Sequence, residues 1–380
     1  MQLSLADYAI HEPHDLQTPA LLLYPDFVDA NIRATLRALG GDPERWRPHV
    51  KTAKLGYVMA KYVAAGVKQC KCSTTREVRV ACEAGLTDVL LAYPVMGGNA
   101  RRLLELADRF PAARLSVLVE NLAQARQWAG SPVAIFIDVN PGMNRTGIGQ
   151  ERVDEVVALA RSLAGLGLAL GGLHYYDGHL RMDPLEERCR VAHRGYDQLL
   201  GIVTAVEAAG VPVREVVTSG TPAFPCAASY WPFSGGTFVH RVSPGTVVYN
   251  DTSSLAQLPP ELGYRPAVLV LATVVSQPKP GIVTCDAGHK AVSADEGVPT
   301  CAVLGRPDLA PRKPSEEHLP IEVPAGAPVP PPGSLLYLIP RHVCPTVNNF
   351  DEALLVAGGR IAGLEPVSAR GHDAPAAALV

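Results

Sequence analysis

The sequence lacks a long apolar run. Its longest, Ala267–Val275, is about half of the ~20 residues that cross a bilayer, so it reads as a buried strand and no membrane partner is expected. Charge of one sign is also missing. Lys and Arg number 34 against 37 Asp and Glu, the net charge is −3, and no basic patch or like-charge run points to nucleic acid. The 8 cysteines are scattered through a chain large enough to need no staples, which argues against a disulfide framework. No internal repeat stands out, so a solenoid or propeller is not expected. The opening stretch Met1–Asp15 is acidic and has no basic-then-apolar order; no signal peptide is expected, and a cytoplasmic enzyme is.

What is present is core-forming material. Hydrophobic residues make up 47% and charged residues 19% of 380 positions, enough for two domains or a large barrel with an appendage. Ala20–Tyr24 reads as a strand, and Asp26–Leu39 as a helix capped by Asp26 and ended by Gly40-Gly41. Strands are predicted over 89–92, 116–119, 133–139, 168–174, 213–218 and 238–242, with helical patterns between them. This alternation implies parallel strands joined by crossovers, and about eight such units fit a closed barrel. After about Thr252 helical periodicity stops. Strands are predicted over 268–275, 281–286, 319–323, 335–339 and 353–356, with a proline-dense region at 307–332. The expected organisation is a barrel over 18–255 and a β-domain over 256–380, which residues 1–17 are free to join.

Several stretches carry chemistry. In Arg47-Pro48-His49-Val50-Lys51-Thr52, a lysine ending a buried strand is costly to desolvate unless it has a task. At the C-terminal end of a barrel strand it can form a Schiff base with an aldehyde cofactor; a salt-bridged or surface lysine is the plain alternative. Arg145, in Asn144-Arg145-Thr146-Gly147, follows a strand and can reach an anionic oxygen; a surface arginine is the plain alternative. His174, Tyr176 and His179 cluster where another strand leaves the core. Ser219-Gly220-Thr221-Pro222 and Pro244-Gly245-Thr246 with Tyr249 are late strand ends suited to phosphate. His342 and Cys344, two apart on a segment read as extended, point to one side and can share a cation; a buried pair is the alternative. Cys70 and Cys72, in Lys68-Gln69-Cys70-Lys71-Cys72, read as small core residues of a strand.

RPHVKT followed by Lys54, TPALLLY before it, and HVCPTVN near the end resemble the family containing D-threonine aldolase and metal-dependent D-serine dehydratase. The motifs run in family order from Thr18 to Val356. The resemblance implies an α/β fold: a pyridoxal-phosphate-binding (β/α)8 TIM-like barrel of alanine-racemase type plus a C-terminal β-domain. It implies that Lys51 carries pyridoxal 5'-phosphate and that Arg145 contacts its phenolic oxygen. His174 and Tyr176 would face the ring or substrate. Ser219, Gly220, Thr221, Gly245, Thr246 and Tyr249 would hold the cofactor. His342 and Cys344 would bind a divalent metal (Zn, Mn, Co or Mg), with Glu316 or Glu317 near it. Asp286–Ala291 would be structural or lie at a dimer face. One departure stands out: Ser243 occupies the place where alanine racemases commonly have an arginine that meets the pyridine nitrogen.

The implied function is retro-aldol cleavage of D-3-hydroxy amino acids to glycine and an aldehyde by a homodimer. The same parts would also serve a D-serine or D-3-hydroxyaspartate dehydratase releasing ammonia and a 2-oxo acid. A non-catalytic pyridoxal-phosphate carrier is the third reading, and the extra β-domain weighs against it.

Overall fold

A computed structural model describes residues 3–375, which form two compact units. Of the described residues, the first holds 3–35, 52–58 and 246–371; the second holds 36–51, 59–245 and 372–375. No described helix is long and apolar enough to cross a membrane.

The second unit is the barrel. Seven parallel strands run in the order Gln69–Cys72, Asp88–Leu91, Arg114–Val119, Ala134–Asn140, Leu170–Tyr175, Glu215–Thr218 and Val239–Val242, with the short Ile148–Gly149 beside the fourth. Residues 46–50 supply the eighth stave. Trp46 bridges to Val242 and His49 to Lys71, both in parallel, which closes the ring. The Arg47 N–H donates to the Val242 carbonyl (2.9 Å) and the Lys71 N–H to the Pro48 carbonyl (2.8 Å). Pro48 has no N–H to give, so this stave cannot form a full ladder.

Helices between the strands bury one face each. Val156, Leu159, Ala160 and Leu163 of helix Val153–Gly165 show the expected spacing. Inside the ring Leu90, Leu118, Phe136 and Val217 pack together. Phe136 fits because residues 171 and 172 are glycines: a Cβ at either would come within 2.8 Å of its ring. A buried ion network lies near the strand starts. Arg47 Nε meets Glu215 Oε1 at 2.7 Å and its Nη2 meets Asp88 Oδ2 at 2.8 Å, while Arg241 Nη1 meets Glu215 Oε2 at 2.5 Å.

The first unit is an antiparallel-rich nine-stranded sheet. Its main path runs Ala310–Pro311, Leu319–Glu322, Ile282–Cys285, Val268–Lys279, Ala20–Leu23, Glu352–Ala357 and Arg360–Pro366. Leu335–Pro340 and Cys301–Val303 extend it beside Val268–Lys279. Ala20–Leu23, expected in the barrel, instead pairs antiparallel with Val268–Leu271 and parallel with Leu354–Leu355. The N-terminal segment belongs here too: Tyr8 and Ile10 join Leu22, Tyr24, Leu269, Leu271, Tyr337 and Ile339 in one core. The Tyr8 hydroxyl donates to the Pro266 carbonyl and the Tyr24 hydroxyl to the Tyr8 carbonyl, each at 2.9 Å. Asp26 does not cap its helix; it sits inside the first turn of Pro25–Ala38, behind a proline suited to that position.

Candidate active site

In the barrel unit two predicted residues, Lys51 and Arg145, and one unpredicted residue, Lys71, converge on Tyr176. Lys51 Nζ lies 5.8 Å, Lys71 Nζ 5.2 Å and Arg145 Cζ 4.9 Å from its ring centroid. Tyr176 is held between two glycines. A Cβ at Gly178 would lie 2.3 Å from the phenol oxygen, and one at Gly220 would lie 2.8 Å from Cε2. Arg145 is delivered by a tight turn in which Asn140 Oδ1 accepts the N–H groups of Gly142 and Asn144, each at 3.0 Å. His179 is exposed and stays outside this group.

His174 is the penultimate residue of strand Leu170–Tyr175, with both ring nitrogens engaged. Nδ1 lies 2.7 Å from Asp138 Oδ1, and Nε2 lies 3.2 Å from Lys71 Nζ. Asp138 Oδ2 also accepts the Thr146 hydroxyl at 2.7 Å. With Nδ1 donating to the carboxylate, Nε2 is left to accept from Lys71. Burial, and then the Lys71 ammonium, hold His174 below the ordinary imidazole range. Burial, and then repulsion by Lys51, push Lys71 down to about 7, with Asp138 and Asp177 offsetting part of the effect. Asp177, which accepts the Tyr196 hydroxyl at 2.6 Å, is raised by burial to about 6.

The proposed phosphate loop follows strand Glu215–Thr218. Ser219 has φ 67°, a left-handed conformation that costs a non-glycine residue roughly 1 kcal/mol or more and is concentrated at functional sites. Its Oγ accepts the Ser243 N–H at 3.3 Å. The Ser243 hydroxyl donates to the Arg47 carbonyl at 2.8 Å, so this side chain braces the closing stave. Gly245 lies so close to that stave that a Cβ would meet the His49 carbonyl oxygen at 2.5 Å.

The β-unit gathers the other group. His342 caps a short helix, Val343–Asn348, so the segment is not extended as expected. The cause is Asp251, whose buried carboxylate accepts the Val343 N–H at 3.0 Å, while Pro345 falls in the first turn, where no N–H is needed. Cys344 Sγ lies 3.0 Å from the Thr52 hydroxyl and 3.7 Å from that of Thr246. His342 Nδ1 lies 2.6 Å from Asp295 Oδ2. Burial lowers the His342 pKa, but Cys344 and Asp295 outweigh it and lift it to about 9. Glu316 and Glu317 turn to Lys290 at the surface, at 2.7 and 3.2 Å. The Tyr249 hydroxyl donates to the Ala53 carbonyl at 2.7 Å. Asp286 is structural: it accepts the Thr273 N–H at 2.8 Å and the Thr18 hydroxyl at 2.5 Å.

Among the described residues no group of three or more His, Cys, Asp or Glu side chains could hold a metal. The His342–Cys344 pair still has the chemistry of a partial cation site. An imidazole whose Nδ1 is fixed by a carboxylate presents Nε2, and the thiol beside it is a soft donor. The barrel residues likewise fit pyridoxal phosphate. They offer an amine at a stave end, cations around an aromatic ring, and a strained Ser-Gly-Thr loop with N–H and hydroxyl donors.

The sequence reading missed Lys71, Asp138, Thr52 and Asp295. Lys71 had a signal: Gln69 and Lys71 alternate with Cys70 and Cys72 on a strand buried on both faces.

The alanine racemase N-terminal domain model matches residues 25–253, and the serine dehydratase domain model matches 267–356. A D-threonine aldolase of Arthrobacter sp. is 28% identical over 94% of each chain. A D-threo-3-hydroxyaspartate dehydratase of Delftia sp. is 28% identical over 88% of this chain and 93% of its own. The crystal structure of D-threonine aldolase from Filomicrobium marinum superposes with a TM-score of 0.85 at 29% identity, covering 94% of this chain and 97% of that one. The barrel match spans more than half of the sequence, and the chain belongs to the alanine-racemase-like family, in its D-threonine-aldolase-like branch.

Proposed function

We propose that this protein is a pyridoxal-phosphate- and divalent-metal-dependent lyase that cleaves D-3-hydroxy amino acids to glycine and an aldehyde. The observation that carries the reading is the setting of Cys344. Its sulfur lies 3.0 Å from the hydroxyl of Thr52, the residue next to Lys51 in the chain, with His342 two positions away. Relatives named as D-threonine aldolase and 3-hydroxyaspartate dehydratase support the substrate class.

Each residue has a defined task in this reading. Lys51 would hold the cofactor through its amine. Ser219, Gly220 and Thr221 hold its phosphate, and Gly245 lets the next strand end approach closely. Tyr176 supplies the aromatic wall and Arg145 a fixed cation beside it. His174, anchored by Asp138, orients Lys71. Bound pyridoxal phosphate supplies the electron-accepting ring that stabilises charge at the α-carbon. His342 and Cys344 would hold a divalent cation, which when bound would supply a Lewis acid near the β-hydroxyl. Two protein ligands leave positions for substrate, as a catalytic rather than structural metal requires. The test is metal dependence. Chelation should stop glycine release from D-threonine while the cofactor stays bound, and zinc, manganese or cobalt should restore it. Full turnover by metal-free protein would refute the metal's role.

A second reading is favoured by Cys344 itself. A thiolate and an imidazole would equally hold a metal that assists departure of the β-hydroxyl, giving ammonia and a 2-oxo acid. The relative named as a dehydratase is also 28% identical to this chain, over 88% of it against 94% for the aldolase. The products separate the two.

A further inference from the structure

The barrel interior carries a second lysine whose charge the reading above leaves unpaired. Lys71 is 1% exposed. A buried lysine with a purely structural task is paired with a carboxylate, because its desolvation is otherwise uncompensated. Lys71 has no such pair: among the described residues, its hydrogen-bond partner is His174 Nε2 at 3.2 Å.

The groups that face it come from every neighbouring element. Lys51 and His49 lie on the closing stave, with His49 bridged directly to Lys71. Asp138 lies on strand Ala134–Asn140, with Arg145 beyond it. Asp177 follows strand Leu170–Tyr175. Asp138 is already committed to His174 and Thr146; Asp177 gives Oδ2 to the Tyr196 hydroxyl, while its buried Oδ1 has no hydrogen-bond partner, Lys71 included. Lys51, Lys71 and Arg145 therefore surround the Tyr176 ring at 5.8, 5.2 and 4.9 Å with too little negative charge to match them.

We propose that Lys71 is a further anion-binding residue of the barrel, one that takes an ionised oxygen of the ligand beside Tyr176. The proposal rests on the pyridoxal-phosphate reading. That oxygen has two possible sources, the phenolate of the cofactor or the carboxylate of the substrate. In either case an amine held partly unprotonated by burial, and then by its cationic neighbours, gains a proton when the anion arrives. Binding then takes up a proton near neutral pH. A lysine that only filled space would show no such coupling.

The test uses the full chain, Lys71→Met and Lys71→Arg, with calorimetry in two buffers of different ionisation enthalpy to count protons. In the cofactor arm, cofactor-free protein binds pyridoxal phosphate or 3-deoxypyridoxal phosphate, which lacks the phenolic oxygen. In the substrate arm, the holoenzyme binds D-alanine, which has no β-hydroxyl to lose. In Lys71→Met, affinity in one arm should fall about tenfold to a hundredfold, the range of a charge-assisted hydrogen bond, and proton uptake in that arm should vanish. Lys71→Arg should recover affinity without proton uptake, because guanidinium is always charged. Loss of the preference for pyridoxal phosphate over its 3-deoxy analogue assigns the phenolate. Loss confined to D-alanine assigns the carboxylate. Unchanged affinity and unchanged proton uptake in both arms of Lys71→Met overturn the proposal. Borohydride fixation at Lys51 keeps the two ideas apart. No label at Lys51 in the unmodified chain means that the cofactor reading fails, whereas label there with an unaffected Lys71→Met means that only the role of Lys71 does.

Discussion

Lys71 Nζ lies 3.2 Å from His174 Nε2, and both side chains are buried. The pair sits between Lys51 and Asp138, so two of the barrel's lysines stand in unlike settings: Lys51 partly exposed at a stave end, Lys71 enclosed and held back from protonation.

This placement sets a pH dependence of stability. Burial and Lys51 lower Lys71 from 10.5 to about 7 in the folded chain. Between those values the unfolded chain binds the extra proton, so this lysine's contribution worsens as pH falls from 10.5 through 7 and is constant below. In cofactor-free protein, Lys71→Met should be more stable than the parent by up to roughly 5 kcal/mol at pH 6, with the gap closing toward alkaline pH. Urea unfolding at several pH values checks this; a gap independent of pH would contradict it.

Lys51→Ala should abolish the visible absorbance of bound cofactor and remove the borohydride-labelled peptide, with the circular dichroism spectrum unchanged. Label at another lysine would move the attachment point.

His342→Ala and Cys344→Ala should each lose tight zinc binding, measured by equilibrium dialysis and metal analysis. Asp295→Asn should weaken it by roughly tenfold to a hundredfold, because its carboxylate orients His342 from behind at 2.6 Å. Glu316→Gln should have no effect, since that carboxylate engages Lys290 at the surface.

Glu215 joins Arg47 and Arg241 within a buried ion network. Glu215→Gln leaves two buried guanidinium groups short of charge, so it should cost about 3–5 kcal/mol in denaturant unfolding. Glu44→Gln, at the exposed rim of the same network, should cost less than about 1 kcal/mol.

Much of this architecture is written locally in the sequence. The strands that end at Leu91, Val119, Thr218 and Val242 are short apolar runs bounded by helical patterns, and the structure has them in the predicted order. What local pattern cannot specify is the partner. Ala20–Leu23 has the same apolar character as a barrel strand, yet it pairs with Val268–Leu271, about 250 residues on. The closing stave is the converse case: Pro48 interrupts its ladder, so nothing in its pattern reads as a strand although it completes the ring.

The site divides in the same way. Lys51 and the His342–Cys344 pair stand in distinctive motifs. Lys71 stands between two cysteines that draw the eye to packing, and Asp295 stands in a polar loop with no pattern. The bend at His342 was hidden because its cause, Asp251, lies 92 positions from Val343 in sequence.

The central claim is tested most directly by the products from D-threonine. Purified protein loaded with pyridoxal phosphate and a divalent metal is incubated with D-threonine, and glycine, acetaldehyde, ammonia and 2-oxobutanoate are quantified together. Glycine and acetaldehyde should appear in equal amounts, with little ammonia and no reaction of L-threonine. Ammonia and 2-oxobutanoate without glycine would contradict the aldolase account and put the dehydratase in its place.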